Sequence, residues 1–228
     1  MKTALLLTGL LSSQLITFGQ IFVAWGDSLT FGYGGDPYPA QLEDLTGITT
    51  LNRGINGETS TQIAARFLAE PALFGQHVVI WAGRNNFLDA GTVESDIASM
   101  VSHLTTTDYL VLGLINGQGE HLGSPFHDQI ATINLDLAAT YRDHFIDIQH
   151  VLVNAYDPFS PADVLDFNVD LPPTSLRSDF LHMNTAGYGV VARTVADHFA
   201  SIPEPVETVG FAAMGCALAA LGLRKRRA

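Results

Sequence analysis

The chemistry of this sequence centres on a serine at the end of an apolar segment. The apolar residues 22–25 lead directly into the turn Gly26-Asp27-Ser28. Such a turn leaves the serine hydroxyl accessible at the carboxyl end of a strand. A serine becomes a nucleophile when a base removes its proton and hydrogen-bond donors hold the oxyanion that it creates. We therefore expect both kinds of partner elsewhere in the chain.

Two Asp-x-x-His pairs could supply the base. Asp179 and His182 can share one turn, where the carboxylate fixes the imidazole tautomer while the other ring nitrogen faces the serine. Asp147 and His150 have the same spacing but directly follow the apolar Phe145-Ile146. At such a strand exit, a surface aspartate and a capping or solvated histidine are the simpler interpretation. Asn184-Thr185, which follow Asp179 and His182, are expected to cap a closing helix.

Donors for the oxyanion are expected in two segments that run from a strand end into a turn. These are residues 52–60 and residues 81–86, both rich in glycine and asparagine. Backbone N–H groups and asparagine amides of such turns can hold an oxyanion. Turn glycines and asparagines also serve backbone geometry alone, so each segment is informative only together with the others.

In their order along the chain, these four segments resemble the SGNH (GDSL-type) serine hydrolase family, and the resemblance spans residues 23–184. It implies that Ser28 is the nucleophile and that Asp179 and His182 complete a catalytic triad. It also implies an oxyanion hole made of the Ser28 and Gly57 N–H groups and the Asn85 side-chain amide. No cofactor and no metal are implied.

One position departs from the family's pattern. The third segment usually reads Gly-x-Asn-Asp, whereas this chain has Gly83-Arg84-Asn85-Asn86. An amide replaces the hydrogen-bond acceptor of a carboxylate but not its charge, so the change bears on the orientation of Asn85. The resemblance makes Asp27 a supporting turn residue, and Arg84 is left without a role, since an arginine beside a loop commonly pairs with a nearby acid.

Composition limits the classes of partner. The chain has a net charge of −12, and no lysine lies between residues 20 and 201. Such a surface repels nucleic acid and anionic polymers. The sole cysteine, Cys216, lies near the C-terminus, so residues 20–201 contain no disulfide and no thiol nucleophile. We therefore expect no nucleic-acid partner.

Hydrophobic patterning predicts a doubly wound α/β fold. Strands are expected at 21–25, 49–52, 78–81, 109–114 and 145–148, alternating with helices near 39–45, 60–68, 93–104, 126–144 and 186–199. Continuous apolar runs such as residues 77–81 are typical of strands that are covered on both faces. The prediction is a three-layer α/β/α sandwich with a mostly parallel five-stranded sheet, the flavodoxin-like fold of SGNH hydrolases.

The two ends of the chain predict export. Residues 1–19 have a short basic start and an apolar stretch, as in a secretory signal peptide, so the hydrolase domain is expected at 20–201. Residues 202–228 contain Pro203-Glu204-Pro205, an apolar segment and a basic end. They resemble the PEP-CTERM sorting tail, which implies an exosortase-type sorting enzyme as partner, membrane attachment before processing, and the surface or extracellular matrix of a Gram-negative bacterium. A plain C-terminal membrane anchor is the alternative.

Taken together, these features predict an exported serine esterase that works through an acyl-enzyme, with acetylated polysaccharide as one candidate substrate. A lipase or thioesterase would use the same residues. A surface-displayed binding or matrix protein with little turnover is a further alternative, favoured only by Asn86.

Overall fold

A computed structural model describes residues 20–201 of the chain. The predicted signal peptide and sorting tail lie outside the described residues. Within residues 20–201, no helix is both long enough and apolar enough to cross a membrane.

The centre of the molecule is a five-stranded sheet with all neighbouring strands parallel, in the order β2-β1-β3-β4-β5. Non-sequential strand order with helical crossovers is the doubly wound arrangement that the sequence predicts. The strands are β1 (Phe22–Gly26), β2 (Thr50–Gly54), β3 (His77–Trp81), β4 (Tyr109–Leu112) and β5 (Phe145–Ile146).

Eight α-helices connect and cover the strands of the described part. They are α1 (Ser28–Phe31), α2 (Tyr38–Thr46), α3 (Ser60–Leu68), α4 (Ala90–His103), α5 (Pro125–Tyr141), α6 (Ile148–Asn154), α7 (Pro161–Asn168) and α8 (Thr185–Ser201). Short 3-10 turns occur at Pro71–Leu73, Arg84–Asn86, Arg142–His144 and Thr174–Leu176.

The side chains of the strands divide between two buried cores, one on each face of the sheet. In β1, Phe22 and Ala24 pack with α2, α6 and α8, whereas Val23 and Trp25 pack with α3, α4 and α5. This alternation follows from the period of two of a strand, and it makes β1 apolar throughout because both faces are covered. The fold is therefore the predicted three-layer sandwich, with β1 as an interior strand between β2 and β3.

The strand register brings three strand ends to one level. Gly26 of β1 lies opposite Gly54 of β2 and opposite Trp81 of β3. The segments that follow these residues therefore leave the sheet at the same edge, the place where open α/β sheets bind ligands.

Two parts of the chain differ from the sequence-based expectation. Strands β4 and β5 are shorter than predicted, because only Val111 and Leu112 of β4 pair with the two residues of β5. The acidic segment 154–178, which carries no periodic apolar signal, contains helix α7 and the Thr174–Leu176 turn. Buried Asp163 holds these two pieces together, since its carboxylate accepts from the Ser175 N–H and hydroxyl.

Candidate active site

Ser28 is the first residue of α1 and lies directly beyond the end of β1. The side chain of Asp27 caps this helix by accepting a hydrogen bond from the Leu29 N–H at 2.9 Å. A capping aspartate fixes the chain direction between strand and helix. Ser28 is 8% exposed, and its hydroxyl faces the imidazole of His182.

A hydrogen-bonded chain joins the three residues expected to form a triad. Ser28 Oγ lies 2.8 Å from His182 Nε2, and His182 Nδ1 lies 2.8 Å from Asp179 Oδ2. Each ring nitrogen thus has one partner, the arrangement that a serine, a general base and an orienting carboxylate require. The chain places Ser28 and His182 154 positions apart, so only the tertiary fold brings them into contact.

The carboxylate of Asp179 is held in its charged form. Burial raises its pKa, but the N–H groups of His182 and Leu181 and the His182 ring outweigh burial and lower the pKa below its ordinary value. The two backbone bonds reach Asp179 Oδ1 at 2.7 and 2.8 Å, which leaves Oδ2 for the imidazole. A charged Asp179 stabilises an imidazolium at His182.

The alternative pair has a different arrangement. Asp147 caps α6, with its Oδ1 accepting from the His150 N–H at 3.1 Å, and His150 is exposed. The structure therefore brings His182, and not His150, to Ser28. The aspartate of this pair is the capping residue, and the histidine is the solvated one.

The loop carrying Asp179 and His182 is braced on both sides. Asn184 caps α8 by accepting from the Ala186 N–H at 2.9 Å, and its amide donates to the Ser175 carbonyl at 2.8 Å. On the other side lies Gly35, where a Cβ atom would collide with the backbone of Asn184 and Thr185. The glycine-rich loop after α1 thus packs closely against the loop that carries Asp179 and His182, here called the base loop.

The expected oxyanion donors lie at the neighbouring strand ends. Among residues 20–201, no acceptor is paired with the Ser28 or Gly57 N–H groups, so both are available to an oxyanion. Gly57 has a φ of 78°, a left-handed conformation that favours glycine. The Asn85 amide, in contrast, donates to Asp27 Oδ2 at 3.2 Å and to the Glu58 carbonyl at 2.8 Å. It must give up one of these bonds to hold an oxyanion.

Asn86, the departure from the family's pattern, holds the start of α3. Its Oδ1 accepts from the Ser60 N–H, and its Nδ2 donates to Ser60 Oγ, both at 2.9 Å. The Ser60 hydroxyl donates its one proton to Asp96 Oδ2 in a hydrogen bond of 2.6 Å. A carboxylate is therefore present in this network after all, supplied by Asp96 of α4 instead of residue 86.

Arg84 pairs with an acid, as an arginine beside a loop commonly does. Its Nη2 lies 2.8 and 2.6 Å from the two carboxylate oxygens of Glu120, and its guanidinium lies over the Phe87 ring. Glu120 also accepts from the Gly117 N–H, and the next residue, Gln118, donates its N–H to the Phe180 carbonyl at 2.6 Å. Arg84 is 8% exposed and so links the Asn85 turn to the base loop.

Sequence reasoning did not identify Asp27 as an unusual carboxyl group. It is 1% exposed, and burial raises its pKa to about 7, against the opposing effects of the Leu29 N–H and the Arg84 charge. A pattern of residues does not reveal such burial, because it depends on how α1 and the Asn85 turn pack together.

We expect Asp27 to make the folded protein less stable as the pH rises. Its pKa is raised from 3.8 to about 7 on folding, so the protonated folded form is favoured at low pH and this stability is lost towards pH 7. Asp27→Asn removes the titration. Relative to wild type, the variant should gain on the order of 2 kcal/mol of unfolding free energy between pH 5 and pH 8.

Urea denaturation at several pH values measures this difference, with Asp44→Asn on the exposed side of α2 as control. An Asp27→Asn profile parallel to the wild-type profile between pH 5 and pH 8 would contradict the account.

We expect Asn86→Asp to destabilise the protein through Ser60. The variant places two carboxylates around one hydroxyl proton and removes the Nδ2 donor, at a cost of about 1–3 kcal/mol. The double variant Asn86→Asp/Asp96→Asn leaves one carboxylate and one amide around Ser60 and should recover part of that loss. Thermal and urea unfolding of the two single variants and the double variant form the cycle. Additive effects of the two substitutions would show that they do not share Ser60.

Comparisons with known proteins agree with this geometry. Residues 24–190 match the model of the GDSL-like lipase/acylhydrolase family. A curated tail spike protein of Salmonella phage epsilon15 is 26% identical over 131 residues, 54% of this chain, but the match spans only 12% of the tail spike protein.

Solved structures with the same fold include two bacterial proteins. A member of the lipolytic protein G-D-S-L family from Veillonella parvula has a TM-score of 0.63 at 16% identity, covering 80% of this chain and 100% of that one. A catalytic mutant of an acetylxylan esterase from Geobacillus stearothermophilus has a TM-score of 0.59 at 18% identity, covering 79% of this chain and 94% of that one. With the family model matching most of its length, this chain belongs to the GDSL-like lipase/acylhydrolase family and is a hydrolase of ester bonds.

Proposed function

We propose that this protein is an exported serine esterase that removes O-acetyl groups from a polysaccharide through an acyl-enzyme. The observation that carries the proposal is the hydrogen-bonded chain Ser28–His182–Asp179. Ser28 Oγ attacks the ester carbonyl while its proton passes to His182 Nε2. The imidazolium, stabilised by Asp179, then protonates the departing alcohol. Water, deprotonated by His182, then attacks the acyl carbon; the bond to Ser28 Oγ breaks, and the imidazolium returns the proton to Ser28 Oγ as the acid leaves.

The donors at the strand ends hold the tetrahedral intermediate. The Ser28 and Gly57 N–H groups are free to donate, and the Asn85 amide joins them when it turns away from Asp27 or Glu58. Donors of this kind commonly contribute 10²–10³ each to the rate, about 3–4 kcal/mol.

Two exposed aromatic side chains support a sugar-linked ester as substrate. The Tyr33 ring lies 4.7 Å and the Phe180 ring 6.5 Å from the His182 ring, and these residues are 51% and 58% exposed. Exposed rings beside a catalytic histidine offer flat apolar surfaces for the C–H faces of sugars. An acetylxylan esterase with this fold is compatible with such a substrate.

The proposed destination rests on the sequence of the chain ends. A signal peptide at residues 1–19 and a PEP-CTERM-like tail at 202–228 would direct the protein to the cell surface or extracellular matrix of a Gram-negative bacterium, by way of an exosortase-type enzyme. Polysaccharide is abundant in such a matrix. The acidic charge of the chain disfavours anionic polymers as substrates.

We expect Ser28→Ala and His182→Ala to lower kcat for p-nitrophenyl acetate by about 10⁴–10⁶, since each removes a member of the triad. Asp179→Asn should lower it by about 10⁴, because the imidazole loses its orienting charge. His150→Ala is the matched control and should retain wild-type kcat, because His150 lies on the surface at α6.

Loss of activity in His150→Ala with His182→Ala unaffected would overturn the assignment of the base.

The polysaccharide substrate is tested by acetate release from acetylated xylan. Turnover of p-nitrophenyl esters that improves with acyl chain length, without acetate release from the polymer, would favour a lipase or thioesterase. No turnover of either substrate would favour the binding or matrix protein.

A further inference from the structure

A polar cavity lies at the same edge of the sheet as Ser28, beyond β4 and β5. It has a volume of about 250 Å³, between α5, the start of α6 and the residues that follow β4. This is somewhat less than the roughly 300–1,000 Å³ of sites for drug-sized ligands. Neighbouring strands are about 4.8 Å apart, so the ends of β4 and β5 lie about 10–15 Å from the end of β1.

Asn116 gives this cavity an unused acceptor. The residue is 2% exposed, and its Nδ2 donates to the Asp170 carbonyl at 3.1 Å. Within the described part of the chain, its Oδ1 has no hydrogen-bond partner. A buried amide oxygen without a partner is costly, so a ligand hydroxyl that reached it would be stabilised.

Two carboxylates add further acceptors. Asp170 Oδ2 lies 2.9 Å from His127 Nε2, and Asp147 Oδ1 caps α6, so each carboxylate keeps one oxygen for a ligand. Gln149 fixes this side of the cavity, because its Oε1 accepts from the Asn116 N–H and its Nε2 donates to the Asp170 carbonyl. The polar lining of the cavity therefore combines acceptors in fixed positions with two histidine rings.

The cavity also has an apolar part. It consists of α5 side chains and one ring of β5, namely Ile130, Ala131, Leu135, Ala138 and Phe145. Leu135 is 71% exposed. A ligand that fits has several hydroxyl donors on one side and a C–H surface on the other. A pyranose ring has this chemistry.

We propose that the cavity binds a neutral sugar unit of the polysaccharide whose ester reaches Ser28. The proposal rests on the proposed function, since it assigns a second contact to the same polymer. Neutral sugars are favoured over acidic sugars because Asp147 and Asp170 line the cavity and the chain carries a net charge of −12. The Gln118 N–H bond to the Phe180 carbonyl places the residues that follow Asn116 against the base loop, so one polymer chain can contact both places.

The test measures oligosaccharide binding and polymer kinetics with the full protein. Xylotetraose is the probe for binding, by calorimetry or by NMR line shifts. Ala138→Trp fills the cavity, and Ala139→Trp is the matched control because Ala139 is exposed on the same helix and does not line the cavity. Asp170→Asn replaces a carboxylate acceptor of the cavity by an uncharged amide. Asparagine also tolerates the φ of 56° found at this position.

We expect wild type and Ala139→Trp to bind xylotetraose equally and Ala138→Trp not to bind it. Asp170→Asn should bind roughly tenfold more weakly or worse, as expected on losing a hydrogen bond to a charged group. For acetylated xylan, Ala138→Trp should raise KM several-fold and leave kcat unchanged. Both parameters for p-nitrophenyl acetate should stay at wild-type values, since that substrate is too small to reach the cavity.

Three results would overturn the inference. They are absence of xylotetraose binding by wild type, equal binding by Ala138→Trp, and tighter binding of tetramethylammonium, which would mark the cavity as a cation site. Hydrolysis of p-nitrophenyl acetate with any of these results leaves the proposed esterase standing. Xylotetraose binding that Ala138→Trp abolishes, in a protein that cleaves no ester, would instead remove the proposed function and leave the sugar site.

Discussion

The whole arrangement depends on one hydrogen bond, the 2.8 Å contact between Ser28 Oγ and His182 Nε2. Its partners come from opposite ends of the domain, one from the turn after β1 and the other from a loop before α8. The interior strand β1, paired on both edges and buried on both faces, fixes the position of the serine. The histidine is fixed by a turn in which Asp179 accepts two backbone N–H groups and one ring nitrogen. A shift of about 1 Å in either support is enough to reduce catalysis strongly.

The electrostatics behind this contact connect the strand ends to one another. Buried Asp27 accepts from the Asn85 amide, and the charge of Arg84 acts on the same carboxyl group. Arg84 pairs with Glu120, which accepts from the Gly117 N–H. The next residue, Gln118, donates its N–H to the Phe180 carbonyl in the base loop. The oxyanion turn and the base loop are thus parts of one network. The low dielectric of such a buried site strengthens each of these hydrogen bonds.

Much of the fold and the site could be predicted from sequence because the signals are local. Buried parallel strands such as β3 are continuous apolar runs, and Ser28, Asn85 and His182 occur in short segments at strand or helix ends. The two-residue β5 and helix α7 were less predictable, since each is defined by contacts with distant residues. The same holds for the Arg84–Glu120 pair, for the carboxylate that Asp96 supplies in place of residue 86, and for the cavity beside Asn116. These depend on side chains that meet only after the layers have packed.

Covalent labelling with a fluorophosphonate, followed by peptide mass spectrometry, probes the reactivity that the Ser28–His182 contact should give. We expect one adduct, on Ser28, with labelling slowed strongly in His182→Ala because the hydroxyl then lacks its base. Labelling of another serine, or unchanged labelling of Ser28 in His182→Ala, would contradict this expectation.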